Sequence, residues 1–152
     1  MGSALPMAVG ASFALPNEPV VVVAGDGGFQ LNIQELQTVS QYHLPIKIVI
    51  LNNRAYGMVR QFQQSYFEER YQSTVWGFSA PDFARVAQAY HIPAHTIQNP
   101  AEVEPGLQKL WADPQSPFLL QVFIDTRANA YPKVTFGGTL TDMEPFSEPR
   151  TG

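Results

Sequence analysis

The chain has 152 residues, 45% hydrophobic and 14% charged, with a formal net charge of −4. That describes one domain with a sizeable core and excludes a disordered or fibrous chain. Its scattered basic residues leave no nucleic-acid footprint, and the absence of cysteine excludes a disulfide framework and thiolate chemistry and favours a reducing compartment. The opening Met-Gly-Ser-Ala-Leu-Pro-Met lacks the basic and apolar regions of a secretory leader. The longest apolar runs are far too short to span a bilayer. The expectation is a soluble cytoplasmic protein with neither a nucleic-acid nor a membrane partner. The low charge fraction suggests that another domain or subunit covers part of the surface. The opening on a small-residue helix pattern, with no leading strand, fits a segment of a longer chain.

In chain order, residues 2–15 are rich in Ala, Gly and Ser and predict a tightly packed helix, with Pro6 near its first turn. Pro16-Asn17-Glu18-Pro19 reads as a turn. The β-branched run at 20–24 predicts a parallel strand buried on both faces, ended by Gly25-Asp26-Gly27-Gly28. Residues 31–42 have helical spacing, closed by His43-Leu44-Pro45. A second buried strand is expected at 46–51, then a loop at 52–57 and a helix at 58–67. A further helix runs from Ser79-Ala80-Pro81-Asp82 to Tyr90, with Phe83, Val86, Ala87 and Tyr90 on one face. A short strand at 94–97, a helix at 100–111 interrupted by Pro105-Gly106, and a strand at 118–124 follow. Residues 127–152, rich in Pro, Gly and Thr, read as an extended C-terminal arm of the domain formed by 1–126. Strands alternating with helices predict an α/β fold: a three-layer, doubly wound, mostly parallel sheet with helices on both faces.

In such a sheet ligands bind beyond the carboxyl ends of the strands. Two strand ends carry polar chemistry: Gly25-Asp26-Gly27-Gly28 and Asn52-Asn53. If those strands are neighbours, Asp26 and Asn53 converge. A carboxylate and an amide oxygen are hard donors suited to Mg²⁺, which takes few protein ligands and completes its shell with phosphate and water. Gly27 and Gly28 let backbone N–H groups approach an anion, and a following helix adds its dipole. The combination describes a Mg²⁺-diphosphate site. No P-loop and no Gly-x-Gly-x-x-Gly is present. The plainer readings remain open: Asp26 as a helix N-cap and Asn52-Asn53 as an ordinary turn.

Gly25-Asp26-Gly27, a helix, an apolar strand and Asn52-Asn53 resemble the thiamine diphosphate motif. The opening Met1-Gly2-Ser3-Ala4-Leu5-Pro6 and the segments Asn32-Ile33-Gln34-Glu35-Leu36, Tyr56-Gly57-Met58-Val59-Arg60-Gln61 and Phe67-Glu68-Glu69-Arg70-Tyr71 resemble the acetolactate synthase group. So does the tail, Tyr131-Pro132-Lys133 with Phe136-Gly137-Gly138. The resemblance covers nearly the whole chain, as the C-terminal domain of a protein several times longer. It implies Mg²⁺ ligation by Asp26, Asn53 and the backbone carbonyl of Ala55. It implies that Gly25, Gly27, Gly28, Tyr56 and Gly57 bind or line the diphosphate and that Met1 lies near the aminopyrimidine. Met58 and Val59 would lie near the thiazolium and substrate, and Phe62 in the substrate pocket.

One departure is Phe62 where the group has Trp, which places the acceptor 2-oxoacid in question. The resemblance also implies a cofactor-protonating glutamate on a separate pyrimidine-binding domain, across a subunit interface in a homo-oligomer. It implies a linker domain for any FAD. No segment here resembles either one, so no catalytic residue is assigned to this chain. Two other readings stand beside a carboligase domain: the cofactor subunit of a split 2-oxoacid decarboxylase, and a non-catalytic cofactor-binding or assembly remnant. His43, His91 and His95 suggest no metal cluster. Tyr66, Phe67, Tyr71, Trp76 and Phe78 read as a subunit interface or a substrate-side loop, with interface favoured.

Overall fold

Four strands rich in aliphatic residues pair in parallel: Val20–Gly25 (β1), Ile46–Asn52 (β2), Ala94–Ile97 (β3) and Phe118–Phe123 (β4), in the order β1-β2-β4-β3. This computed structural model describes residues 1–135 and 137–145. The quoted Phe136 and the end of the C-terminal arm lie outside them. Among the described residues six α-helices accompany the strands: Ala4–Ala14 (α1), before β1, and Asp26–Gln30 (α2), Leu36–Gln41 (α3), Gly57–Tyr66 (α4), Phe83–Ala89 (α5) and Val103–Leu110 (α6), between them. Register places Gly25 opposite Leu51 and Asn52 opposite Phe123. The carboxyl ends of β1, β2 and β4 therefore lie side by side.

Side-chain alternation divides the core in two. Val22 and Ala24 of β1, Ile46, Ile48 and Ile50 of β2 and Leu119 of β4 face one side, against Leu5, Ala8 and Val9 of α1, Leu36 and Val39 of α3, and Phe83 and Ala87 of α5. Val49 of β2 and Leu120 and Val122 of β4 face the other, with Ile97 of β3 and Leu110 of α6. Helices thus cover both faces, but the second cover extends only over the β3–β4 half. This corrects the expectation that the first strand is buried on both faces. Val21 and Val23 of β1 remain 51% and 57% exposed. A β-branched run signals strand, but it does not say whether both faces are covered.

Element boundaries depart from the sequence reading where polar residues interrupt a pattern. The expected helix at 31–42 is a 3₁₀ turn, Ile33–Glu35, followed by α3, and the helical turn begins earlier, at Asp26. The helix expected at 100–111 is a 3₁₀ turn, Pro100–Glu102, running into α6. Pro105 falls in the first turn of α6, where a missing N–H leaves no bond unmade. Asp82 caps α5, its carboxylate accepting from the N–H groups of Ala84 and Arg85. The C-terminal segment includes a short antiparallel pair, Lys133–Val134 (β5) with Met143–Glu144 (β6), and a Lys133–Glu144 ion pair at 2.8 Å. Among the described residues no helix is long and apolar enough to cross a membrane.

At the amino end of the sheet, away from the aligned carboxyl ends, Lys47 is buried in β2. Its ammonium donates to the carbonyl oxygens of Asp113 and Ser116, the first at 2.6 Å, and pins the α6–β4 loop to the sheet. Burial pushes its pKa down, and the Asp113 carboxylate pulls it back up. Lys47→Met keeps most of the stem volume but leaves both carbonyls without their donor. Denaturant unfolding is expected to show a loss of about 1–2 kcal/mol; an unchanged midpoint would show that the pin contributes nothing.

Candidate functional site

The β1–β2 pairing decides where the polar residues meet. Where β1 ends, Gly25 takes the N-cap position of α2 and Asp26 is its first helical residue. The N-cap reading of Asp26 is thus replaced: Gly25 holds that position. Where β2 ends, Asn53 follows directly, and both strand ends open into one cleft of about 390 Å³. Gly25, Asp26, Gly27 and Gly28 line one side of it, and Asn53, Ala55, Tyr56 and Gly57 another. Met1, Met58 and Val59 border the same cleft and are largely exposed.

Asp26 is 1% exposed, yet its Oδ2 has no hydrogen-bond partner among the described residues, and none of the ion pairs found there involves it. Desolvation pushes its pKa up, while the backbone N–H groups of Gly27, Arg54 and Ala55 pull it down. A buried carboxylate oxygen with nothing to accept is costly. A bound cation would supply the missing charge.

The two asparagines divide their work. Asn52 turns inward: its Nδ2 donates to Gln121 Oε1 at 3.3 Å, and its Oδ1 accepts from Arg54 N at 3.0 Å. Gln121 Oε1 also accepts from Phe83 N, which links β2, β4 and α5. Asn53 faces the cleft, its Oδ1 accepting from Ala55 N at 3.2 Å. The tight turn expected from the Asn pair is therefore present, with Arg54 at φ 56°, and the same turn presents Asn53 to the cleft. Asn52 instead borders a separate cleft of about 420 Å³ with Arg54, Thr96 and Gln98.

Two glycines are required by close approach. A Cβ on Gly27 would lie 2.4 Å from Tyr56 Cε1, and one on Gly57 would lie 2.4 Å from Asn53 Nδ2. Tyr56 is braced from behind by Phe78, edge-on at 4.8 Å. The aromatic-rich stretch packs within the chain elsewhere too, Tyr66 and Phe67 against Phe62 and Tyr71 against Trp76, although Tyr66, Phe67 and Trp76 stay substantially exposed.

Phe62 does not line this cleft. It borders an adjoining one of about 310 Å³ with Met58, Gln61, Tyr66, Lys133 and Val134. The sequence reading missed Val23, Ala24, Leu51, Gln61, Ile124, Ala128 and Ala130 as lining residues. The strand-end residues were within reach of the parallel-sheet rule, whereas nothing local marks Ala128 or Ala130. Among the described residues no three His, Cys, Asp or Glu side chains gather. His43 sits at the opposite end of the sheet, 3.3 Å from the Ser116 hydroxyl.

A parallel sheet flanked by helices, with a carboxylate, an amide and glycine backbone gathered at adjoining strand ends, defines an α/β domain with a polar cleft at its carboxyl edge. Residues 1–122 match the family described as thiamine pyrophosphate enzyme, C-terminal TPP binding domain, and the chain belongs to that family. It is 43% identical over its full length to the acetolactate synthase large subunit of Pyropia yezoensis, of which it covers 26%. It is 44% identical over 94% of its length to the acetolactate synthase isozyme 2 large subunit of Escherichia coli K12, again covering 26%. The chain thus spans about a quarter of these relatives. The thiamine diphosphate-dependent 4-hydroxybenzoylformate decarboxylase of Rhodococcus jostii RHA1 superposes with a TM-score of 0.73 at 28% identity, over 84% of this chain and 24% of that one.

Two substitutions probe the cleft before any ligand is added. Gly27→Ala forces Tyr56 to move and is expected to cost about 1–3 kcal/mol, measured by denaturant unfolding; full stability would mean the ring yields freely. Asp26→Asn removes a buried, unpaired charge and is expected to raise the thermal midpoint of the cofactor-free protein by about 2–4 °C. A lowered midpoint would show that the carboxylate is already satisfied.

Proposed function

We propose that Asp26 and Asn53 hold Mg²⁺ through their side-chain oxygens, with the backbone carbonyl of Ala55 as a third protein ligand, and that the ion anchors the cofactor diphosphate. The observation that carries this reading is the unpartnered, buried Asp26 Oδ2 in the same cleft as Asn53. The donors are hard oxygens and few, which suits an ion that keeps phosphate and water in its shell. The backbone of Gly25, Gly27 and Gly28 would hold the diphosphate from the β1 side. Tyr56 and Gly57 line it from the β2 side. Met1 would sit beside the aminopyrimidine and Met58 and Val59 near the thiazolium and substrate, while Phe62, in the adjoining cleft, would border the acceptor pocket.

When bound, thiamine diphosphate supplies a thiazolium electron sink for decarboxylating a 2-oxoacid and passing the remaining fragment to a second carbonyl. This chain contributes anchorage and orientation, a contribution worth about 7–11 kcal/mol of barrier in favourable systems. The complete protein is accordingly an acetolactate synthase-like decarboxylase and carboligase acting on small 2-oxoacids such as pyruvate. Its cofactor-protonating glutamate belongs to a pyrimidine-binding domain or partner subunit in a homo-oligomer. The exposed Met1, Met58 and Val59 around the cleft support such a cover. The cysteine-free composition supports a cytoplasmic location. No residue here is assigned to FAD.

Calorimetry of thiamine diphosphate binding with and without Mg²⁺ tests the reading. The wild-type protein is expected to bind only with the ion, and Asp26→Ala to weaken binding by at least about tenfold. Unchanged affinity in the variant would remove Asp26 from the metal site.

A further inference from the structure

We propose that Arg60 and Gln61, neighbours on α4, are positioning residues that latch segment 127–130 across the cleft as its outer wall, and so set how long the cofactor stays bound. The proposal rests on the reading of this cleft as the thiamine diphosphate site.

Ala128 and Ala130 line the cleft, yet both are exposed and belong to no helix or strand. Apolar burial therefore does little to hold this wall in place. Its own turn, closed by Ala128 N donating to Asp125 O at 3.0 Å and Arg127 N donating to Asp125 Oδ1 at 2.8 Å, shapes the segment without attaching it to anything.

Attachment comes from α4. Gln61 Nε2 donates to Ala130 O at 3.1 Å, and Gln61 Oε1 accepts from Ala130 N at 3.0 Å. One side-chain amide thus satisfies both backbone groups of one residue, as a paired strand would. Arg60 Nη2 donates to the carbonyls of Arg127 and Ala128, at 3.2 and 3.3 Å, and to Asn129 Oδ1. Its Nη1 donates to Gln64 Oε1, which also accepts from Asn129 Nδ2. Each residue of the wall is therefore tied to one face of α4.

Burial strengthens the latch. Arg60 and Gln61 are 3% and 2% exposed. Arg60 has no carboxylate ion-pair partner among the described residues, and its Nε is unpartnered. A buried guanidinium spent on three oxygens of one exposed segment is a costly way to stabilise a fold and an effective way to fix a loop. Helix α4 also gives Met58 and Gln61, one turn apart, to the cleft itself. One rigid element then sets both the floor and the wall. An exposed wall held by polar bonds opens as a local unit without global unfolding, and the cofactor leaves through that opening.

The test uses the complete protein and three forms: wild type, Gln61→Met and Gln61→Glu. Gln61→Met keeps the volume and loses both bonds; Gln61→Glu keeps the acceptor for Ala130 N and loses the donor to Ala130 O. Hydrogen exchange of the 128–130 amides is read in the cofactor-free state, and the dissociation rate of thiamine diphosphate with Mg²⁺ in the loaded state. Gln61→Met is expected to speed both by about tenfold, with Gln61→Glu in between. A purely structural role would lower the melting temperature and leave the dissociation rate unmoved, and that result overturns the proposal. Unchanged exchange overturns it as well. Should Gln61→Met fail to fold, Gln61→Glu carries the same comparison. A wild-type protein that takes up no cofactor overturns the reading of the cleft, and the latch falls with it. A wild type that binds while the variants release at the same rate overturns the latch alone.

Discussion

The parallel pairing of β1 with β2 is the constraint on which the rest depends. With Gly25 opposite Leu51, the residues just past each strand end have no choice but to share one opening. A slip of one residue would reverse the inward and outward sets of β1 and take Val22 and Ala24 out of the core. The hydrophobic pattern that builds the core thus also fixes the alignment of Asp26 with Asn53. Position at the site is a by-product of packing several residues away.

Against that rigid background the cleft is unfinished. Among the described residues the Asp26 Oδ2 that lines it is buried with nothing to accept; the other buried unpartnered side-chain atoms, Ser12 Oγ and Arg60 Nε, lie on helices outside its lining. Gln121 shows the contrast: at the same sheet end it bonds Asn52, Phe83 and Thr96. Buried polar groups left open mark where a protein trades its own stability for affinity toward something else. At Asp26 the open oxygen is what the proposed cation would fill.

Much of this was legible in the sequence because it is local. The strand at β2, the glycine break after β1 and the asparagine turn all follow from short patterns with a mechanical reason. The convergence of Asp26 and Asn53 required one further assumption, that their strands are neighbours. What was hidden is non-local. The exposure of Val21 and Val23 depends on how far α6 reaches over the sheet. The split between an inward Asn52 and a cleft-facing Asn53 depends on Gln121, far along the chain. The place of Phe62 in an adjoining cleft depends on Lys133 and Val134, which form that cleft's far side from a distant part of the chain. Ala128 and Ala130 carry no signal, since they matter only because Arg60 and Gln61 reach them.

The uneven cover of the sheet has a consequence for handling the molecule. β1 is the terminal strand of the sheet among the described residues, and its outward side chains are valines rather than the lysines and prolines that usually blunt such a border. A ladder of free amides beside a strip of bare aliphatic surface is a template for another strand. Handled in isolation at high concentration, the domain would stack through that border into soluble oligomers or precipitate. A segment or partner that sealed this border would act as a solubility factor as much as a structural neighbour.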